Sequence, residues 1–231
     1  MTAASKIQPS LRPSPTVEDY LAGIYLLERN GQAVIASHLA NALDLTPPTV
    51  AVTLQRMERD GWITTKGRKG IRLTKTGREA ARSVIRRHML TEWLLTRMLK
   101  LPWSKAHAEA HQMEHTISDE TEAQMRASLE DPQVCPHGNP FPGYEQVAAD
   151  WIPLTATEAG AQVVIRRIDE MAEADSELLQ FLETNAIAPG VRAEVTEVLP
   201  FNQTVTLRLG ARNLALGFSA AQHIFVEKGL K

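Results

Sequence analysis

A chain of 231 residues, 43% of them hydrophobic, is long enough for one large domain or two to three small ones with real cores. Its 25 Lys and Arg against 27 Asp and Glu leave a formal net charge of −2, which excludes a uniformly basic nucleic-acid coat. The average hides a split: residues 1–87 carry 14 basic and 7 acidic side chains and the remainder 11 and 20, so one half suits a polyanion and the other suits cations.

In chain order, residues 1–15 hold Pro9, Pro13 and Pro15 among Ser and Thr and read as a flexible arm. Thr16 is a candidate N-cap, and Tyr20, Leu21, Ile24, Tyr25 and Leu27 recur at helical spacing, predicting a first helix over Val17–Arg29. Asn30-Gly31 breaks it, and Ile35, Leu39, Ala40 and Leu43 describe a short second helix. Thr46 at the N-cap, Pro47 in the first turn and the stripe Val50, Leu54, Met57 mark a third, ended at Asp60-Gly61. Trp62-Ile63-Thr64-Thr65 and Ile71-Arg72-Leu73 flank the tip Lys66-Gly67-Arg68-Lys69-Gly70, a β-hairpin with a basic turn. Thr74 caps a long helix running from Lys75 toward Leu99. Helix, short helix, capped helix and basic hairpin is the order of a winged helix-turn-helix.

Leu101-Pro102 ends the long helix, and Ser104 caps another predicted to run to Leu129. Residues 131–143 are rich in Pro and Gly and read as a surface loop; Thr155–Gly160 reads as a linker. Beyond it come a strand over Val163–Ile168, a short helix over Ser176–Thr184 and the alternating sets Val191/Ala193/Val195 and Val205/Leu207/Leu209, with Leu214, Leu216 and Phe225-Val226 closing the segment. Several short strands in so few residues predict a small, partly open β-barrel.

The single cysteine, Cys135, excludes an intramolecular disulfide and fits a reducing compartment. No apolar run reaches the roughly 18 residues of a spanning helix, and Met1–Pro15 lacks the apolar core of a secretion signal, so a cytoplasmic chain with no membrane partner is expected. An aromatic content of 5% argues against a stacking platform for single strands.

Five of the seven histidines fall between positions 88 and 137. His107, His111 and His115 recur one turn apart with Glu114 beside them, and His88 and Glu92 form a second one-turn pair. Imidazoles and carboxylates at that spacing can converge on a divalent cation. An isolated histidine pair on a helix is usually solvated surface; three in register with a matching pair nearby point to metal. Cys135-Pro136-His137 is a weaker cluster, lacking the paired cysteines of a structural zinc site. The chain has no G-x-S-x-G, H-E-x-x-H, P-loop or G-x-G-x-x-G motif, so a non-enzyme is expected. A metal-dependent enzyme on the helical His/Glu set is one alternative, and a metal-independent winged-helix regulator is another. For duplex DNA, the small or polar residues Thr46, Pro48, Thr49 and Thr53 at the start of the third helix suit entry into the major groove, with Val52 near its middle. Lys66, Arg68 and Lys69 of the wing suit phosphates.

Residues 16–28 (TVEDYLAGIYLLE), 46–61 (TPPTVAVTLQRMERDG), 88–92 (HMLTE), 107–119 (HAEAHQMEHTISD) and 138–143 (GNPFPG) resemble the diphtheria-toxin-repressor family of iron- and manganese-dependent transcriptional regulators. The tail from Leu178 to Glu227 is similar to the family's SH3-like third domain. The resemblance implies a mainly α chain with small β parts: an arm (1–15), a winged-helix DNA-binding domain (16–80), a helical dimerisation and metal-binding domain (81–150) and an SH3-like barrel (156–231). It implies a homodimer binding operator DNA, controlling metal-homeostasis genes, with apolar faces in residues 88–129, including Leu94, Leu95 and Met98, at the dimer interface.

The resemblance also implies a primary metal site of Asp19, His111, Glu114 and His115. The iron-responsive members carry methionine and cysteine where this chain has Asp19 and His111; the manganese-responsive members share the aspartate but usually have glutamate in place of His111. Without sulfur donors the set suits Mn²⁺, with Fe²⁺ next; Zn²⁺, Ni²⁺, Co²⁺ or Cd²⁺ are expected to bind in vitro. An ancillary site maps on to His88, Glu92 and His107, or on to Glu92 with Cys135 and His137. Asp175 is the candidate from the third domain, with Glu173 and Glu177 as rivals.

Overall fold

The computed structural model describes residues 12–65 and 70–229. The chain forms two compact units that meet between Val84 and Ile85. In the first unit, α1 (Pro15–Arg29) starts from Ser14 in extended backbone with Pro15 at its first position. Thr16 therefore lies inside the helix rather than capping it, because proline at the first position needs no N–H and already has a helical φ. Tyr20, Leu21, Ile24 and Leu27 form its buried stripe.

A turn in which Asp44 adopts a left-handed φ of 51° joins α2 (Ala36–Ala42) to α3 (Pro47–Arg59). Val50, Leu54 and Met57 pack into the core, while Thr46, Pro48, Thr49 and Val52 are exposed and Thr53 is half-buried. Thr46 occupies the N-cap position, but its Oγ1 pairs with Thr49 Oγ1 at 2.9 Å instead of a backbone N–H. Strands β1 (Ile63–Thr65) and β2 (Ile71–Leu73) pair antiparallel with Ile63 opposite Leu73. The wing cations Lys66, Arg68 and Lys69 lie outside the described residues. Thr74 caps α4 (Lys75–Trp93): Gly77 N donates to its Oγ1 at 3.0 Å. A Cβ on Gly77 would lie 2.0 Å from the Trp62 carbonyl oxygen, so only glycine permits this approach.

The second unit begins within α4, which widens into a π-helical turn over Leu94–Met98. Leu95 is buried inside the protomer and so is not available to an interface, whereas Met98 and Leu99 are exposed. The single helix expected over 104–129 is two: α5 (Trp103–Met113), a 3-10 turn over Glu114–Thr116, then α6 (Asp119–Ser128). The break has a local cause. Ile117 is extended, Ser118 accepts from Thr121 N at 3.1 Å, and Asp119, Glu120 and Glu122 in the new first turn favour its positive dipole end. Nor does Ser104 cap α5. Glu183 does so, accepting from Trp103 N at 3.0 Å and from Ser104 Oγ at 2.6 Å.

Residues 137–142 are buried rather than forming a surface loop. Gly138, at φ +88°, lies so close to the Arg166 carbonyl that a Cβ would be 1.9 Å from its oxygen, and Ile168 N donates to His137 O at 2.8 Å. The expected linker at Thr155–Gly160 is likewise packed, with Thr157 buried and Gly160 N bonded to Val195 O at 2.7 Å.

The remaining elements are β3 (Ile152–Pro153), β4 (Gln162–Ile168), α7 (Glu170–Glu173), α8 (Ser176–Thr184), β5 (Arg192–Leu199), β6 (Thr204–Leu209), β7 (Arg212–Gly217), α9 (Phe218–Ala221) and β8 (Ile224–Lys228). The strands form one antiparallel sheet in the order β3-β8-β4-β5-β6-β7, curled around Val163, Ile165, Val195, Val205, Leu207 and Val226. Each such fully buried side chain contributes about 1.5–3 kcal/mol. Among the described residues no helix is long and apolar enough to cross a membrane.

Candidate metal centre

Two groups of ligand-type side chains gather in the second unit. The outer one sits at the end of α5. His111 Nδ1 lies 3.2 Å and His115 Nε2 3.5 Å from Glu114 Oε1, on the turn where the α-helix tightens to 3-10. Glu114 is buried, while the His111 side chain is 58% exposed, so this group is open to solvent. Burial would raise the Glu114 carboxyl, but hydrogen bonds from His111 and His88 outweigh it and hold the group at about 2. Asp19, the fourth predicted ligand, stands on α1 of the first unit.

The inner group joins α4, α5, the buried loop and α7. His88 Nε2 is 3.1 Å from Glu92 Oε1 and 3.0 Å from His107 Nδ1; His107 Nδ1 is 2.9 Å from Glu173 Oε2. From the opposite side His137 Nδ1 approaches Glu92 Oε1 at 3.2 Å and Glu173 Oε1 at 3.4 Å, with Cys135 Sγ 3.9 Å away. The side chains of Glu92 and His137 are 0% exposed.

The third-domain acid here is Glu173, not Asp175. The Asp175 side chain is exposed and caps α8, accepting from Glu177 N at 3.1 Å and Leu178 N at 2.9 Å, which turns it away from the cluster; Glu177 is also exposed. Glu173 is aimed by Asn139, which donates to Glu173 Oε1 and to Ile168 O, and Asn139 is in turn held by Arg167. The residues Asn139, Arg167 and Glu183 escaped sequence reasoning. Their partners are 28 to 80 positions away in sequence, a separation at which spacing carries no signal.

These residues fit a cation. Donor separations of 2.9–3.5 Å between neighbouring N and O atoms match the edges, about 3.0–3.5 Å, of a polyhedron around an ion with bonds near 2.1 Å. Glu92 Oε2 is buried and has no hydrogen-bond partner among the described residues, a costly arrangement unless something positive meets it. His137 Nε2 faces the Trp103 carbonyl at 2.9 Å, which places its proton there and leaves Nδ1 as the donor atom. Burial pushes His137 toward neutrality, yet the charges of Glu173 and Glu92 carry it up to about 9. His88 and His107 are also raised against their burial, by Glu92 and Glu114 for the first and by Glu173 and Glu92 for the second. Burial, followed by the charges of Glu92 and Glu173, pushes the Cys135 thiol up. Proton and a cation held here would therefore compete for the same electron pairs.

Comparison with known proteins matches three family profiles to successive parts of the chain. The profile of the iron dependent repressor N-terminal DNA binding domain matches residues 14–71, that of the iron dependent repressor metal binding and dimerisation domain residues 74–143, and that of the FeoA domain residues 152–228. The chain is 35% identical over 224 residues to the iron-dependent repressor IdeR of Mycobacterium tuberculosis, covering 92% of this chain and 97% of that one. It is 33% identical over 222 residues to the diphtheria toxin repressor of Corynebacterium diphtheriae, with the same coverage. A solved manganese-dependent transcriptional repressor in complex with manganese superposes with a TM-score of 0.81 at 27% identity, over 92% of this chain and 100% of that one. With over a third of its residues shared along almost the full length of such a relative, the chain belongs to the diphtheria toxin repressor family of iron-dependent repressors.

Proposed function

We propose that the chain is a divalent-cation-responsive repressor that binds operator DNA as a homodimer and controls genes of metal homeostasis. The observation that carries the reading is the convergence of His111, Glu114 and His115, two imidazoles around one carboxylate oxygen with no sulfur among the three donors. Asp19 is the fourth ligand by family resemblance. A bound cation supplies the positive charge that these donors share. Because Asp19 belongs to the DNA-binding unit and the other three to the second, common ligation is the proposed route by which metal governs DNA binding; coupling of a few kcal/mol is the scale expected.

An oxygen and imidazole donor set favours Mn²⁺, with Fe²⁺ next. Relatives named for iron and a structural neighbour named for manganese support both. The exposed face of α3, with Thr46, Pro48, Thr49 and Thr53, is the proposed base-reading surface, and Lys66, Arg68 and Lys69 are the proposed phosphate contacts. Exposed Met98 and Leu99 are proposed for the dimer interface.

The test is retardation of DNA fragments that the Mn²⁺-loaded chain selects from a random pool, repeated with Fe²⁺ and with chelator. The expected result is binding that needs metal and is lost in Asp19→Ala and His115→Ala. Binding that ignores chelator overturns the reading.

A further inference from the structure

The inner cluster contains more donors than one ion needs. His88 and His107 lie on one side of it and Cys135 and His137 on the other, and each side, taken with Glu92 and Glu173, gathers four ligand atoms within 4.8 Å of one another. The two sides share both carboxylates, and Glu173 divides its oxygens between them: Oε2 lies 2.9 Å from His107 Nδ1, and Oε1 lies 3.4 Å from His137 Nδ1. A carboxylate whose two oxygens face two different imidazoles has the disposition of a bridge between two ions. Glu92 is placed to be the second bridge. Its Oε1 is 3.1 Å from His88 and 3.2 Å from His137, and its buried Oε2 has no hydrogen-bond partner among the described residues.

We propose that this pocket holds two divalent cations side by side, bridged by Glu92 and Glu173. One is bound by His88 and His107 and the other by Cys135 and His137. The proposal rests on the repressor reading only in taking divalent cations as the ligand. Its two halves differ in chemistry. The first offers nitrogen and oxygen alone, while the second adds a sulfur and suits softer ions. The ligand sets are thus partners in one centre instead of alternatives.

The probe is Co²⁺, which reports thiolate ligation through a sulfur-to-metal charge-transfer band and reports a bridged neighbour through magnetic exchange. The full chain, kept reduced, is dialysed against Co²⁺ and its metal content measured. The expected content is three ions per chain, two in this pocket and one at the outer group, with exchange coupling between a pair. Cys135→Ser should lose one ion together with the thiolate band. His107→Ala should also lose one ion but keep the band at full intensity. Two ions per chain in the wild type, without exchange coupling, overturns the proposal, and that measurement needs no variant to fold. So does loss of the thiolate band in His107→Ala. A chain that holds three ions with the coupled pair but does not bind DNA bears out this proposal and overturns the repressor reading instead.

Discussion

The charge state of His137 should make metal uptake by the buried pocket steeply pH-dependent. Held at about 9 by Glu173 and Glu92 against the pull of burial, His137 is almost wholly protonated at neutral pH in the metal-free chain. A cation binding at Nδ1 would have to displace that proton. From pH 7 to about 9 is two units, on the order of 3 kcal/mol, so affinity at neutral pH should be roughly a hundredfold below its value above pH 9. His88 and His107 are raised as well, which steepens the slope beyond one proton per ion. The stability of the metal-free fold moves the other way. Because the folded value of His137 lies above its ordinary 6.5, the stabilisation from the charged imidazole is full below about 6.5 and is lost as pH rises through about 9. The assay is competition for Mn²⁺ against a chromophoric chelator at about pH 6.5, 7.5 and 8.5, in a His115→Ala background, with proton release measured by calorimetry in two buffers. Affinity that stays flat across this range, with no protons released, would refute the argument.

Two further outcomes test the scaffold and the wing. Gly138→Ala forces a side chain to within 1.9 Å of a backbone oxygen at a φ of +88°, and should cost about 3 kcal/mol or more, read as a lowered melting temperature. An unchanged melting temperature would mean that the buried loop is not pinned to β4 as described. Lys69→Ala should flatten the plot of log affinity for DNA against log salt by about one unit while sequence preference stays the same; a changed preference would place Lys69 on base edges instead.

The winged-helix unit was legible because its signals are local. Val50, Leu54 and Met57 lie one helical turn apart, Gly61 follows the end of α3, and Thr74 caps α4 through a residue three positions on. The break between α5 and α6 was also written locally, in Ser118 followed by three acids, but continuous helical spacing of histidines masked it. Asp175 illustrates a different limit. Three acids at positions 173, 175 and 177 compete for one role, and only the course of the chain decides among them: the turn that makes Asp175 a helix cap brings Glu173 inward. The same holds for Asn139, whose role depends on a strand that begins more than twenty residues later. Spacing finds ligands that share a helix. It does not find those that tertiary packing brings to them.

Glu114 has its two oxygens committed in different directions, Oε1 to His111 and His115 and Oε2 to His88 Nδ1 at 2.5 Å. A cation fixing Oε1 would hold the carboxylate still, and the fixed Oε2 would keep a proton on His88 Nδ1, so that Nε2 would be presented bare to its neighbours. Occupancy on one side would thereby prepare the other, and thermodynamic reciprocity would require the favour to be returned in equal measure. Two separate sites would fill gradually as their ion became more abundant; a pair linked through one carboxylate would fill over a narrower span, and the chain's response would then have the character of a threshold.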